Sequence, residues 1–486
     1  MKEIVESYFA HRSMVNHQLA SYDDCIPIGD GKGSRMESIV RGIRIGSDED
    51  LEDVPGGKEA GGMIKLDVLD KEIFIRMKGI RLGAPTVREA NGAEHPATPL
   101  ECRLRKLTYF SPIYMDFKIY RDDLPPSSTN SDIGFIEEEG VHIGNLPIMV
   151  RSGRCNLHPD HIAGTQEKSL KLSPTTSAED ALRHKELLRK SGEDPLDPGG
   201  YFIINGTERV LISMEDLAPN RVTVEKNKKY AHETEVAKIF SQKDGVRKPI
   251  NVEKRRDGML MVKIPSAGTT AIPVVLLMRA LGMENDRDIF SAIAGPVEAM
   301  KYTVANLNDV KDNPEYGVDN TEEAMAWLEK KFAAGQQKEY RESRIQNLLD
   351  KELLPHLGSD ESVRTKKAIF LGRIVRQVLE MAITNRDPND KDHYANKRVR
   401  LAGDLMEDLF RVGVQGLARD LKYQLERHHN RKRELKINSC LRPDVLTSKI
   451  MHALATGNWV GGRSGVSQLL DRTTYLASLS HMRRVT

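Results

Sequence analysis

Residues 455–486 read ATGNWVGGRSGVSQLLDRTTYLASLSHMRRVT, and this stretch is the most informative part of the 486-residue sequence. Four glycines, at positions 457, 461, 462 and 465, lie close together with Arg463 among them. Because glycine has no Cβ, such a loop adopts backbone conformations closed to other residues and lies close against a partner. Polar and cationic side chains follow the loop: Gln468, Asp471, Arg472, His481, Arg483 and Arg484. This combination suits a phosphate-rich ligand, and the alternative is a surface loop before a helix with a solvated basic end.

The order of these residues resembles the fork region of the second-largest subunit of multisubunit RNA polymerases, in its archaeal and eukaryotic form. That region carries TGNW, a Gly/Arg loop, GVSQ, a short apolar stretch and SHLRR. This sequence has TGNW at 456–459, RSGVSQ at 463–468 and SHMRR at 480–484. The resemblance implies nucleic-acid contacts from Arg463, Gln468, Arg472, His481, Arg483 and Arg484. It implies a loop-shaping role for Gly461, Gly462, Gly465 and Asp471.

The composition is that of an ordinary globular protein whose positive charge is unevenly distributed. Charged residues make up 30% of the chain and apolar residues 39%, with a net charge of +2. From Asp387 onward there are 18 Lys and Arg against 11 Asp and Glu, an excess of +7 that leaves −5 for the rest. This asymmetry is typical of a nucleic-acid-facing end attached to neutral domains. The length predicts two to four domains.

The cysteines and the N-terminus predict the compartment. Cys25, Cys102, Cys155 and Cys440 are scattered, with no CxxC pair, which argues against a zinc cluster and favours a reducing environment. The first residues contain no apolar run that resembles a signal peptide, and no run of 18 apolar residues occurs. We therefore expect a cytoplasmic protein without membrane contact.

A second motif, DPNDKDHYANKRVRLAG, occupies residues 387–403. Asp390, Asp392 and His393 leave a metal site open as an alternative, although the four cations of this motif make a poor setting for a ligand set. The resembling family has DKDH-x-x-N/K-KR-x-x-LAG at this place. The resemblance implies that Lys391, Lys397 and Arg398 supply charge to nucleic acid. It also implies that Asp392 and His393 shape the loop.

A third motif, GGYFIINGTERV at residues 199–210, is shared across the same family. Asn205-Gly206 between two apolar runs predicts a hairpin, because both central residues must adopt positive φ. Arg209 follows the turn and is a candidate nucleic-acid contact. A surface strand arginine is the alternative, since strand side chains alternate between faces.

Apolar periodicity predicts an α+β protein. One helix is expected within residues 1–29, with SYDDCIP (residues 21–27) starting a loop. Strands are expected from alternating apolar residues between 38 and 120, including Ile39, Val40 and Leu104. Three strands joined by tight turns are expected over 233–265. Further helices are predicted over 272–281, 321–332, 362–383 and 401–427. Asn320 and Glu323 offer a capping box for the second of these helices. The last has a core stripe of Leu405, Leu409, Val414, Leu417 and Leu421.

The resemblance implies a multidomain architecture of protrusion, lobe and fork. The protrusion comprises residues 1–215 and 385–450, the lobe 216–384 and the fork 451–486. The implied function is that of a polymerase subunit which lines the DNA cleft, contacts promoter and downstream DNA and the RNA–DNA hybrid, and supports nucleotide binding. Such a chain is inactive alone and carries no cofactor, with Mg²⁺ and Zn²⁺ expected on other subunits.

Some archaea encode this subunit as two polypeptides, B″ and B′, and the end of the chain at Thr486 suggests B″. The expected partners are B′, the largest and other core subunits, the DNA template, the RNA–DNA hybrid and general transcription factors. Two other function classes remain open. A freestanding nucleic-acid-binding protein predicts a stable monomer, and a hydrolase using Asp390, Asp392 and His393 predicts metal-dependent activity of the isolated chain.

Overall fold

The chain divides into two compact units in its computed structural model. Unit 1 comprises Met1–Glu215 and Val399–Thr486, and unit 2 comprises Asp216–Arg398. Each unit buries its own apolar core. The structure describes residues 13–28, 33–46, 62–66, 73–121, 134–162, 178–229, 232–243, 245–265, 268, 270–335, 337–433 and 435–486.

The described residues contain both helices and strands, which confirms the predicted α+β class. The helices are α1 (Asn16–Cys25), α2 (Arg35–Arg41), α3 (Pro99–Leu104), α4 (Pro159–Ile162), α5 (Ala178–Lys190), α6 (Val274–Ala280), α7 (Asp286–Ile293), α8 (Val297–Asp312), α9 (Thr321–Phe332), α10 (Lys338–Asn347), α11 (Arg364–Thr384), α12 (Ala402–Asn430), α13 (Ile437–Cys440), α14 (Asp444–Thr456) and α15 (Tyr475–Met482). The strands are β1 (Arg44–Ile45), β2 (Gly62–Lys65), β3 (Ile73–Leu82), β4 (Thr86–Arg88), β5 (Glu94–Pro96), β6 (Phe110–Arg121), β7 (Gly134–Pro147), β8 (Phe202–Ile204), β9 (Thr207–Leu211), β10 (Met214–Leu217), β11 (Val222–Lys229), β12 (His232–Lys243), β13 (Val246–Lys254), β14 (Leu260–Lys263), β15 (Ile272–Pro273), β16 (Lys397–Arg400) and β17 (Ser467–Leu469).

A five-stranded sheet of order β1-β2-β3-β6-β7 forms the centre of unit 1. Strand β6 shows why it forms. Its side chains alternate between half-buried and buried, with Ile113, Met115, Phe117 and Ile119 in the core. This period of two places every second side chain on the core face, as expected of a strand with one covered face.

Helix α12 completes the core of unit 1 and packs against α1, α2 and α14. Five residues predicted as its buried stripe are buried as expected: Leu405, Leu409, Val414, Leu417 and Leu421. Near its start the helix approaches α1 very closely. The Gly403 amide donates to Ser21 Oγ (3.0 Å), and a Cβ on Gly403 would lie 1.9 Å from the Ser21 carbonyl oxygen. Only glycine fits at this crossing.

The predicted hairpin of the third motif is confirmed. Strands β8 and β9 pair antiparallel around Asn205 (φ 49°) and Gly206 (φ 76°), the two left-handed residues that this turn needs. Strand β17 adds to the other side of β9, in the order β17-β9-β8. The C-terminal segment is therefore attached to the hairpin through backbone hydrogen bonds.

Unit 2 combines an antiparallel sheet of order β11-β12-β13-β14-β15 with helices α6–α11. The predicted strands within 233–265 are present, and Gly258 occupies a positive-φ position (88°) in the turn between β13 and β14. Helix α9 spans the residues predicted for it and begins with the expected capping box between Asn320 and Glu323. Helix α11 packs against β12 and β13 and ends at left-handed Asn385.

Two predicted strands were wrong, because local capping outweighs β-propensity. Ile39 and Val40 lie in helix α2, whose first turn is capped by the Ser34 side chain accepting from the Glu37 amide (3.2 Å). Leu104 ends helix α3, which begins with Thr98 as its cap and Pro99 in its first turn. Ser or Thr three residues before Glu is a helix-start signal, so the sequence contained this information.

Two predicted loops were also wrong in part. Helix α1 continues through Ser21–Cys25, and the loop begins only at Ile26. Within the second motif, Lys397–Arg400 form strand β16, which pairs with β10 in a two-stranded sheet. The N-terminal part of the first predicted helix, residues 1–12, lies outside the described residues.

Asp23 predicts a pH-dependent contribution to stability. Its Oδ1 accepts a hydrogen bond from the Gly153 amide (2.9 Å), and burial raises the pKa of this carboxyl to about 6. Because the folded pKa lies above the unfolded value, the ionised form lowers stability above pH 6, and this penalty disappears as the pH falls towards 4. Asp23→Asn keeps the acceptor oxygen and should stabilise the purified chain at pH 7.5, with a gain that vanishes near pH 4.

Urea unfolding of both proteins across this pH range measures the difference. Asp24→Asn is the matched control, since Asp24 is exposed and pairs with Arg35 (2.7 Å), so its substitution should not stabilise. A gain from Asp23→Asn that persists undiminished at pH 4 would contradict the assignment.

Candidate nucleic-acid interface

The glycine loop, residues 457–465, is anchored at both ends in unit 1. Helix α14 ends at left-handed Gly457 (φ 79°). Trp459 follows and is buried, and its indole N–H donates to the Leu405 carbonyl of helix α12 (2.9 Å). The Trp459 amide donates to the Arg463 carbonyl (2.7 Å), which closes the loop on itself. The tryptophan of TGNW therefore acts as the anchor of the loop.

The outer glycines of this loop face open space. Gly461, Gly462 and Gly465 have φ of 83°, 74° and 74°, and apart from their chain neighbours no described residue lies within 4 Å of the Cβ that another residue would carry. Gly457 differs, because a Cβ there would lie 2.6 Å from the Ser467 carbonyl oxygen. The loop thus has a constrained inner end and an exposed outer end where a large ligand can approach the backbone.

Arg463 lies half-buried beside strand β10. Its Nη1 is 3.8 Å from the Met214 sulfur.

Gln468, Asp471 and His481 form one hydrogen-bonded group. The Asp471 amide donates to His481 Nδ1 (3.2 Å), so the ring proton is on Nε2, which donates to Gln468 Oε1 (3.0 Å). The Gln468 amide nitrogen donates to the Gly465 carbonyl (3.1 Å). Burial and then Arg484 lower the pKa of His481, so the ring is neutral at pH 7. This group fixes the end of the glycine loop against strand β17.

The Asp471 carboxylate closes a small turn of its own. It accepts hydrogen bonds from the Thr473 amide (2.9 Å) and hydroxyl (2.6 Å), which lower its pKa. This geometry agrees with the loop-shaping role inferred for Asp471 from the sequence.

The remaining cations of unit 1 differ in how they are held. Arg472 pairs with Glu208 (2.6 Å) and lies 3.4 Å from Asp197. Arg483 donates to the Met14 carbonyl, and Arg484 is exposed. Arg209 lies opposite Leu469 in the β9–β17 pair, and its buried Nε has no hydrogen-bond partner among the described residues.

The cations of the second motif lie in unit 2 and form a separate set. Lys391 pairs with the Glu225 carboxylate, and Lys397 is 3.6 Å from Asp392. Arg398 is exposed, and its Nη1 donates to the Lys397 (2.7 Å) and Ala395 (3.4 Å) carbonyls. Arg398 therefore presents a cation that is not neutralised by a carboxylate in these contacts.

Asp390 and His393 of the second motif accept hydrogen bonds from nearby backbone amides. Asp390 accepts from the Asp392 amide (2.8 Å) and His393 Nδ1 accepts from the Ala395 amide (3.1 Å), while the Asp392 side chain is 94% exposed. Within the described ranges, the group with metal-ligand spacing is instead Glu89, His95 and Glu101. There Arg105 already pairs with both glutamates (2.5 and 2.7 Å).

Comparison with known proteins identifies the family. Residues 218–400 match the family described as RNA polymerase Rpb2, domain 2, and residues 13–171 match the RNA polymerase beta subunit family. DNA-directed RNA polymerase subunit Rpo2N of Halobacterium salinarum is 40% identical across 100% of this chain and 83% of its own length. The chain belongs to the RNA polymerase Rpo2N family. The Rpo2N subunit of Methanocaldococcus jannaschii is 39% identical, with 100% of this chain and 86% of that subunit covered. Subunit Rpo2 of Saccharolobus solfataricus is also 39% identical, with 99% of this chain but 37% of that subunit covered.

Membership of the Rpo2N family supports a role in transcription, as part of a multisubunit nucleotidyltransferase. It also confirms the resemblance to the archaeal second-largest subunit that the sequence motifs indicated. No helix in the described part of the chain is long and apolar enough to cross a bilayer.

Sequence reasoning missed three residues that the structure makes conspicuous. Tyr394 lies among the cations of the second motif and is 83% exposed. Glu208 and Tyr201 contact Arg472 from a distant part of the sequence. Tyr394 was visible in the sequence inside DHYANKR. In contrast, no residue near Arg472 in the sequence indicated its contacts with Glu208 and Tyr201.

Proposed function

We propose that this chain is the B″ subunit, the N-terminal half of a second-largest RNA polymerase subunit that is divided between two chains. The observation that carries this proposal is the extent of the match. The chain aligns with 83–86% of the length of the two Rpo2N relatives, but with 37% of the length of the Rpo2 subunit of S. solfataricus. In this proposal B′, the largest subunits and the other core subunits assemble with it in the cytoplasm. The catalytic Mg²⁺ and the Zn²⁺ lie on those other subunits.

Within the assembled enzyme, the chain forms one wall of the DNA cleft. Residues 1–215 and 385–450 correspond to the protrusion, 216–384 to the lobe and 451–486 to the fork. The wall contacts promoter and downstream DNA and the RNA–DNA hybrid, and supports nucleotide binding. General transcription factors contact the same assembly.

The fork contributes through its open glycine loop. Gly461, Gly462 and Gly465 leave space at the backbone, and Arg463 lies beside them near the surface. An arginine such as Arg463 contacts phosphate oxygens, and such contacts position a nucleic acid without reading base identity. Gln468, held by His481, sets the position of the loop end rather than donating freely.

The test of this function is an Arg463→Ala, Gln468→Ala double variant in the assembled polymerase. We expect normal subunit content and a severalfold loss of full-length transcript, because an exposed loop contributes little to the core. Subunit stoichiometry is measured first, and transcript length on a single template second. Normal transcription would refute the role of the loop, and loss of assembly would mean that the loop is a subunit interface.

The second motif gives a further expectation about phosphate charge. Arg398 is exposed without a carboxylate partner in its observed contacts, whereas Lys391 is paired with Glu225. Arg398→Gln should weaken binding of the assembled enzyme equally on different DNA sequences, and flatten the slope of log K against log salt by about 0.9. Lys391→Gln is the matched comparison and should have the smaller effect, since its charge is already compensated. A sequence-selective loss with an unchanged slope would contradict the phosphate role of Arg398.

A further inference from the structure

Residues of unit 1 contact the guanidinium of Arg472 on three sides, and the side chain is 40% exposed. Its Nε and Nη2 donate to the two oxygens of Glu208 (2.6 and 2.9 Å), a bidentate pair. Its Nη2 is also 3.4 Å from Asp197 Oδ2. The face of the guanidinium lies 4.8 Å from the ring centre of Tyr201. Bidentate geometry combined with an aromatic face fixes the orientation of an arginine, not merely its charge.

The groups that receive Arg472 are themselves fixed. Arg103 donates to the same Glu208 (2.8 Å), to Glu193 (3.0 Å) and to the Tyr201 hydroxyl (2.6 Å). The Tyr201 ring is fully buried, and its hydroxyl donates to Asp197. Arg472 therefore enters a socket built from Arg103, Glu193, Asp197, Tyr201 and Glu208, although it lies 264 positions away from Glu208 in the sequence.

The charge of this socket does not suit a phosphate. Two cations, Arg103 and Arg472, meet three carboxylates, Glu193, Asp197 and Glu208, which leaves one negative charge in excess. A phosphate approaching Arg472 would have to displace a bidentate carboxylate and would face the remaining acids. Such an exchange would break one charge-assisted bidentate contact for each one that it forms.

We propose that Arg472 is a positioning residue, which clamps the turn between β17 and α15 and so holds the glycine loop in place for nucleic acid. Asp471, its neighbour, gives its amide to His481, and His481 in turn holds Gln468 and the end of the loop. The clamp thus acts on the loop through these hydrogen bonds. This inference rests on the proposed function of the loop, and it replaces a direct nucleic-acid contact for Arg472.

Glu208→Gln in the assembled polymerase distinguishes a clamp from a phosphate contact by the sign of its effect. If Arg472 binds phosphate, removal of the carboxylate frees the guanidinium, and DNA binding tightens. If Arg472 is a clamp, Glu208→Gln lowers transcript yield as Arg472→Gln does. We expect a loss of about threefold or more in each variant, with the double variant no worse than either, because residues of one network are non-additive.

The salt dependence of DNA binding is the second readout. Loss of a phosphate contact lowers the slope of log K against log salt by about 0.9, whereas loss of a clamp leaves the slope unchanged. Arg442→Gln and Asp420→Asn are matched controls, since this bidentate pair also lies in unit 1 and joins the segment before α14 to α12. We expect both controls to transcribe normally. If Arg472→Gln fails to assemble, Arg472→Lys replaces it, because lysine keeps the charge without the bidentate geometry.

Tighter DNA binding by Glu208→Gln, a reduced salt slope in the Arg472 variant, or additive losses would each overturn the clamp. Wild-type behaviour of Glu208→Gln, Arg472→Gln and their double variant would also overturn it. The proposed function of the loop is judged separately by the Arg463→Ala, Gln468→Ala double variant. Defective transcription in that variant, with normal Arg472 variants, would reject the clamp and retain the function of the loop.

Discussion

Replacing Gly403 with alanine is expected to destabilise unit 1 by roughly 1–3 kcal/mol or more, since overpacking a well-packed contact carries this cost. The added Cβ would lie 1.9 Å from the Ser21 carbonyl oxygen, so α1 and α12 must separate. Separation also lengthens the hydrogen bond between the Gly403 amide and Ser21 Oγ. The contact is between backbones, and no flexible side chain is available to move away.

Gly416→Ala is the matched control on the same helix. Beyond the helix's own backbone, no described residue lies within 4 Å of its added Cβ, so the substitution should be neutral or should stabilise by up to about 1 kcal/mol through helix propensity. Denaturant unfolding of the two purified variants measures the difference in the free energy of unfolding. Equal stabilities of the two variants would show that the α1–α12 crossing can relax, and that the close approach is not limiting.

Replacing Trp459 with alanine is the second large expectation, with a loss of about 3–5 kcal/mol, the usual cost of removing a buried aromatic side chain. The indole is buried in the core of unit 1 and donates to the Leu405 carbonyl, so both packing and a hydrogen bond disappear. Because this residue anchors the glycine loop, we also expect the assembled polymerase to lose more transcript yield than the Arg463→Ala, Gln468→Ala variant.

The second tryptophan provides a chemically matched control. Trp327 donates its indole N–H to the Glu315 carbonyl (3.0 Å) but is only partly buried in unit 2. Trp327→Ala should cost less stability and leave transcript length unchanged. Similar transcription by the two assembled variants would show that the glycine loop does not need Trp459 as an anchor in order to function.

Features encoded by neighbouring residues could be predicted from the sequence. Asn205-Gly206 indicated the hairpin, and Asn320 with Glu323 indicated the start of α9. The same kind of local signal, Ser34 followed by Glu37, was present at α2, where β-branched residues misled the prediction. Local chemistry thus determined these elements, whether or not it was recognised.

The candidate site shows where this approach fails. The motifs located the glycine loop, and the structure places Gln468 and His481 in contact with each other. The sequence could not show that Arg472 is paired with Glu208, because the two residues meet only through the pairing of β9 with β17. In the sequence, an arginine next to a motif looks the same whether its side chain faces solvent or pairs with a carboxylate.

The discontinuous construction of unit 1 has a consequence for synthesis on the ribosome. Its sheet emerges first, but helices α12 and α14, which complete its core, are translated only after unit 2. At roughly 5–20 residues per second, the intervening stretch of about 180 residues takes about 10–40 s to produce. During this interval the sheet lacks the helices that pack on it later, such as α14 on β7, while unit 2 can already complete its own core. Early protection of residues 73–147 by a chaperone would therefore matter more to the yield of this chain than the folding rate of unit 2.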